Sequence, residues 1–223
     1  MARENTLESF ELAIEQGADA IELDLRQTVD HHLIVHHDPR IARGLPPLDR
    51  MTRAESAREA GNRGFHLPTM AEVFRLCRDR IALNIELKES GLERTLLAAV
   101  EGSFPIASVL FTSFLPEAII RIKELEPRAT TGLLLGVPRR LTRGASARPR
   151  SAARILADCH ADLLLPHKLR AHKRYLTRLR EQSIPAIVWT VNSRRSFRRL
   201  TDLGIAGIIT DRPDKLRAFF DPD

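Results

Sequence analysis

From residue 69 to residue 219, short apolar runs alternate with stretches of helical periodicity, and that rhythm leaves the chain few folds to adopt. Strand-like runs fall at 81–88, 109–112, 131–135, 162–165, 186–191 and 206–210. Helix-like stretches fall between them at 69–77, 92–100, 116–125, 151–159, 169–182, 194–203 and 213–219. Several strands are nearly all apolar, as expected of parallel strands covered on both faces. Strands alternating with helices form βαβ units, whose parallel sheet is either doubly wound or closed into a barrel. Neither GxGxxG nor GxxxxGK[ST] follows the first strand, which argues against a dinucleotide-binding or P-loop architecture.

The chain opens on a helix. Asn5 reads as its N-cap, with Glu8 three residues on as in a capping box. Leu7, Phe10 and Ile14 follow at helical spacing, and Gly17 closes the helix. Residues 20–26 then alternate strictly, with Ile21, Leu23 and Leu25 on one face and Glu22, Asp24 and Arg26 on the other. A minor strand at 33–35 leads into an irregular excursion over 38–68, marked by Pro39, Gly44, Pro46 and Pro47 and carrying a helix-like stretch at 53–60. Outside that excursion there are eight helices and seven main strands. The simplest account is one α/β domain over 1–223, a TIM-type (β/α)8 barrel lacking its first β-strand. The length of 223 residues agrees, standing slightly below the roughly 250 typical of that barrel.

Two strands carry the candidate chemistry. Glu22 and Asp24 share one face of the first, while Asn84, Glu86 and Lys88 share one face of the 81–88 strand. Carboxylates in a central sheet must point somewhere polar, because a lone buried charge costs several kcal/mol unless it is paired or bound to metal. Both groups lie toward the C-terminal ends of their strands, where β/α barrels place their sites. Three converging carboxylates suit a hard divalent cation, Mg²⁺ or Ca²⁺. The competing account is an ion-pair network in which Lys88 and Arg26 neutralise Glu22, Asp24 and Glu86. His37, just past the minor strand, has the side chain whose ordinary pKa best suits proton transfer near neutrality. Most of the other histidines read as surface residues: His31 and His32 sit in a turn, and His66, His160, His167 and His172 lack carboxylate or cysteine partners at ligand spacing.

Composition excludes some classes. Hydrophobic residues make up 43%, too many for a disordered chain and enough for one large core. The net charge of +6 is local: 139–180 holds twelve Lys and Arg against Asp158 and Asp162, and the remainder is mildly acidic. Such a segment is a candidate for peripheral contact with anionic lipid, but a solvated face is the simpler account. Nucleic acid is not expected, since Tyr175 is the only aromatic residue there. Cys77 and Cys159 sit in apolar segments without a CxxC pair and read as buried free thiols. No run approaches a membrane span and no signal peptide is visible, so the expected location is cytoplasmic. Oligomeric state is left open.

A further pattern emerges from short motifs in order: Glu4-Asn5-Thr6-Leu7, Gly17-Ala18-Asp19, Ile21-Glu22-Leu23-Asp24, Thr28-Val29-Asp30, His37-Asp38, Pro68-Thr69, Ile85-Glu86-Leu87-Lys88, Trp189-Thr190-Val191-Asn192 and Thr210-Asp211-Arg212-Pro213. The ordered set resembles the glycerophosphodiester phosphodiesterase family, a β/α barrel, over nearly the whole chain. The resemblance implies that Glu22, Asp24 and Glu86 bind a divalent cation and that Lys88 holds the substrate phosphate. It makes His37 one of two acid/base histidines and sets Trp189 beside the glycerol or alcohol group. The implied reaction is metal-dependent hydrolysis of a glycerophosphodiester, a small-molecule substrate, to glycerol 3-phosphate and an alcohol. The family's first strand ends in His-Arg-Gly, and that His-Arg pair has no counterpart here, while Arg3 takes a proline's place. Asp30-His31 also replaces an Asp-Gly turn, and the loop after His37-Asp38 is short. The expectation is therefore an enzyme impaired in this chain; the alternative is a non-catalytic metal- and phosphate-binding module of the same fold.

Overall fold

The computed structural model describes residues 2–137 and 152–221. They form two compact units, Met1–Thr130 and Thr131–Asp223. The first unit runs α1 (Leu7–Glu15), β1 (Ala20–Gln27), β2 (Leu33–Val35), α2 (Arg53–Gly61), α3 (Met70–Cys77), β3 (Ala82–Leu87), α4 (Glu93–Ser103), β4 (Val109–Ser113) and α5 (Pro116–Leu125). Strands β1, β3 and β4 are parallel neighbours in that order. On its other edge β1 takes up β2 in antiparallel fashion, with Leu25 opposite Val35 and Gln27 opposite Leu33.

The strict alternation of β1 decides how this unit packs. Ile21, Leu23 and Leu25 join Leu83, Ile85, Leu87, Val109 and Phe111 on one sheet face. Helices α1, α3, α4 and α5 cover that face with Phe10, Val73, Phe74, Leu96, Val100 and Ile122, all buried. Since side chains alternate along a strand, the opposite face receives Glu22, Asp24, Asn84, Glu86 and Thr112. The excursion after β2 closes a small core of its own, in which Ile34, Ile41, Leu48, Ala60 and Leu67 pack together.

Two helix starts differ from expectation. The cap of α1 is Thr6: its hydroxyl accepts from the Ser9 N–H at 3.2 Å, and the Thr6 N–H donates to the Ser9 hydroxyl at 3.3 Å. Thr6 has the extended backbone a cap needs, whereas Asn5 is left-handed at φ +55° and its side chain turns elsewhere. Helix α7 (Lys173–Glu181) starts four residues later than its periodicity suggests. A turn closed by the Arg170 N–H on the His167 carbonyl occupies the preceding residues, leaving Leu169 exposed, and His172 caps the helix through Nδ1. At the turn between β1 and β2, His31 takes the glycine position at φ +62°.

The second unit contains β5 (Thr130–Leu135), α6 (Ala152–Cys159), β6 (Leu163–Pro166), α7, β7 (Ile187–Val188), α8 (Arg194–Asp202), β8 (Gly207–Ile208) and α9 (Pro213–Phe220). Its strands follow one another in parallel, β5 beside β6 and β7 beside β8. Bridges at Leu164–Ala186 and His167–Trp189 join β6 to β7. Of the basic 139–180 segment, residues 139–151 lie outside the described residues, as does the expected helix start at Ser151. Lys173, Arg174, Arg178 and Arg180 are exposed on α7. Cys77 and Cys159 are buried free thiols, and burial pushes Cys77 up to about 11. Among the described residues no helix is long and apolar enough to cross a membrane.

Ile85 sits at the centre of the first core with no exposed surface. Ile85→Ala should cost about 2–5 kcal/mol, transfer plus cavity, read as a lowered midpoint in urea unfolding with an unchanged slope.

Candidate active site

Parallel pairing in register brings the polar groups together. Asp24 stands directly opposite Glu86 across β1 and β3, and Glu22 opposite Asn84. One carboxylate oxygen from each of Glu22, Asp24 and Glu86 lies within 4.8 Å of the others. Lys88, just past the end of β3, reaches back over the cluster, with Nζ 2.7 Å from Glu86 Oε1 and 3.0 Å from Asp24 Oδ1. Asn84 is held from behind by the Thr112 hydroxyl, which donates to its Oδ1 at 2.8 Å.

Electrostatics follow from this crowding. Burial pushes the Glu22 carboxyl well above the usual carboxylate range, and the Asp24 and Glu86 charges push it further; Lys88 opposes them. Glu86 is raised by burial against the pull of the Lys88 ammonium. Burial alone would lower Lys88, but the carboxylates around it win and its pKa is raised. A single ammonium thus leaves three carboxylates under-compensated. That donor set, all hard oxygen, fits a divalent cation.

The competing account, an ion-pair network, is met only in part. Lys88 pairs with the cluster, but Arg26 does not: its Nε and Nη2 donate to the His37 carbonyl at 3.0 and 2.8 Å, and its Nη1 meets Glu89 at 3.1 Å. The reason is position, since Arg26 lies two residues beyond Asp24 on β1, opposite Ile34 of β2. Glu89 also accepts from the Gln27 N–H at 2.8 Å. Arg26 and Glu89 therefore tie the ends of β1 and β3 to the backbone of His37.

His37 Nδ1 lies 2.9 Å from Asp38 Oδ1, a contact that holds the Asp38 carboxyl below its ordinary range. His37 is close enough to Glu86 to favour its charged form. His36 points the other way, stacked 6.4 Å from Phe65 and accepting burial that lowers its pKa. His66 has a carboxylate partner after all, Glu72 at 2.8 Å across the start of α3. Trp189 belongs to the second unit, where its indole N–H donates to the Leu165 carbonyl at 2.6 Å and its ring meets His167 edge-on.

Sequence reasoning did not foresee the partners that hold the site. Asn5, read as a helix cap, hydrogen-bonds Asp24 twice. Arg26, set against the carboxylates only in the competing account, serves the His37 carbonyl and Glu89 instead. The signal for Asn5 was its motif, Glu4-Asn5-Thr6; for Glu89 there was none.

The Glycerophosphoryl diester phosphodiesterase family matches residues 1–215, and the chain belongs to that family of phosphoric diester hydrolases. A glycerophosphodiester phosphodiesterase of Caldanaerobacter subterraneus is 28% identical over 96% of this chain and 90% of its own. Among solved structures, a phosphodiesterase of Oleispira antarctica in complex with the product sn-glycerol-3-phosphate superposes with a TM-score of 0.83 at 22% identity, covering 97% of this chain and 91% of that one. A glycerophosphodiester phosphodiesterase of Thermotoga maritima gives 0.77 at 24% identity, covering 97% and 92%. These likenesses show the fold class to be α/β of the TIM-barrel type.

The raised Glu22 carboxyl has a signed consequence. Its folded-state value lies above the ordinary 4.5, so its cost is absent below about pH 4.5 and grows as the pH rises toward the folded value. Each unit of displacement corresponds to about 1.4 kcal/mol. Glu22→Gln should therefore raise the melting temperature in EDTA at pH 7, with the advantage vanishing as the pH falls toward 4.5.

Proposed function

We propose that the chain carries out metal-dependent hydrolysis of glycerophosphodiesters to glycerol 3-phosphate and an alcohol. The observation that carries the reading is the under-compensated cluster of Glu22, Asp24 and Glu86 bridged by the single ammonium of Lys88. The Oleispira antarctica structure with its bound product supports the substrate class.

Glu22, Asp24 and Glu86 would hold the cation, Mg²⁺ or Ca²⁺. When bound, it supplies positive charge that polarises phosphoryl oxygens and helps orient the attacking glycerol hydroxyl. Lys88 contributes a second charge: two of its three N–H donors go to Asp24 and Glu86, leaving one for a phosphate oxygen. In the first step a glycerol hydroxyl attacks phosphorus, the alcohol departs, and a cyclic phosphate is left. Water then opens that ring to glycerol 3-phosphate.

His37 is the proton carrier of this reading. With Nδ1 hydrogen-bonded to Asp38, Nε2 is the atom that takes or gives the proton. Trp189 is assigned the glycerol or alcohol side, through its ring, because its N–H is already committed.

The reaction moves one proton off the attacking hydroxyl and one onto the leaving group, and His37 is assigned one of these two transfers. Glycerol 3-phosphate release from glycerophosphocholine, assayed in Mg²⁺ or Ca²⁺ and in EDTA, tests the reading. Release that persists in EDTA overturns metal dependence, and cation binding with no release leaves the non-catalytic module.

Two variants test the residue assignments. Glu86→Gln should abolish the thermal stabilisation given by Mg²⁺ or Ca²⁺ while keeping the circular dichroism of the parent; equal stabilisation of both proteins would remove Glu86 from the cation site. His37→Asn should lower turnover by about 10²–10⁴-fold without changing that stabilisation.

A further inference from the structure

We propose that Asn5 is the positioning residue for Asp24, and through it for the cation affinity of the cluster. The inference deepens the reading of Glu22, Asp24 and Glu86 as a cation site and rests on it.

Asn5 precedes the Thr6 cap of α1 and so has no capping duty of its own. Its side chain instead closes a reciprocal pair on one residue. Nδ2 donates to Asp24 Oδ2 at 2.7 Å, and the Asp24 N–H donates to Asn5 Oδ1 at 3.0 Å. The other carboxylate oxygen of Asp24, Oδ1, is held at 3.0 Å by Lys88. With a partner on each oxygen and the adjacent N–H engaged, the plane of the Asp24 carboxylate is set before any cation arrives. Ligand atoms set in advance lose little freedom when they bind, and partners behind metal ligands are worth about 10–100-fold in affinity.

The same pair closes the β1 edge. The Asp24 carbonyl accepts from the His36 N–H at 2.9 Å, where pairing with β2 ends, and Asn5 takes the N–H on that same edge. The end of β1–β2 pairing and the orientation of the Asp24 carboxylate thus meet at one residue.

Few side chains could serve here. The pair needs a donor and an acceptor on one planar group, which Asp and Ser lack at this reach. The backbone at φ +55° disfavours most residues, with Asn and Gly the best tolerated. Asn alone meets both demands.

The test compares the full chain with Asn5→Gly, which keeps the left-handed backbone, and with Thr6→Ala, which removes the neighbouring cap. Mg²⁺ and Ca²⁺ affinities are measured by isothermal titration calorimetry, and melting temperatures in EDTA. Asn5→Gly is expected to bind the cation about 10–100-fold more weakly. Thr6→Ala is expected to melt earlier yet bind with the affinity of the parent. Asn5→Ser, too short to close the pair, takes the place of Asn5→Gly if circular dichroism shows that variant unfolded. Parent-like affinity in the folded Asn5 variant overturns the inference, because a bond that only fastens α1 to β1 moves the melting temperature alone. A parent that binds neither cation removes the cation reading itself and the inference with it.

Discussion

Three carboxylates share one sheet face with a single ammonium, and that imbalance of charge organises the first unit. Lys88 bridges Asp24 and Glu86, yet burial and mutual repulsion still raise Glu22 and Glu86. A protein tolerates such a cluster only if something else supplies positive charge or if the site performs work that rewards the strain. Every nearby polar contact makes sense against this constraint. Asn5 fixes Asp24, Thr112 fixes Asn84, and Arg26 with Glu89 fixes the backbone of His37.

The opposite face makes the cluster affordable. Ile21, Leu23, Leu25, Leu83, Ile85 and Leu87 are buried under four helices, so β1 and β3 cannot slip in register without exposing their whole apolar set. Register in turn puts Asp24 opposite Glu86. The core thus holds the charged face in place, and a one-residue shift would destroy both together.

Much of this was legible in one dimension. The alternation in β1 and the paired motif in β3 identified Glu22, Asp24, Glu86 and Lys88 as one constellation, because strand periodicity alone assigns faces. Thr69 as a helix start followed equally from local chemistry, and it caps α3 with Glu72. Contacts between segments far apart in sequence did not follow. Arg26 shares its strand face with Glu22 and Asp24, so periodicity grouped it with the carboxylates, whereas its partners His37 and Glu89 depend on where two other strands end. Asn5 looked like a cap because caps are local; its bonds to Asp24 span 19 residues.

The sequence by itself determined which residue types face together, the βαβ order of the chain, and, through its ordered motifs, a family that the comparisons bear out. Those are consequences of periods of two and 3.6 residues and of chemistry carried along the backbone. Only the tertiary structure decided which oxygen meets which donor: Lys88 on two carboxylates, Arg26 on a carbonyl, Asn5 on Asp24. A hydrogen bond is set by tenths of an ångström between atoms on different elements, and no periodicity within one element encodes that distance.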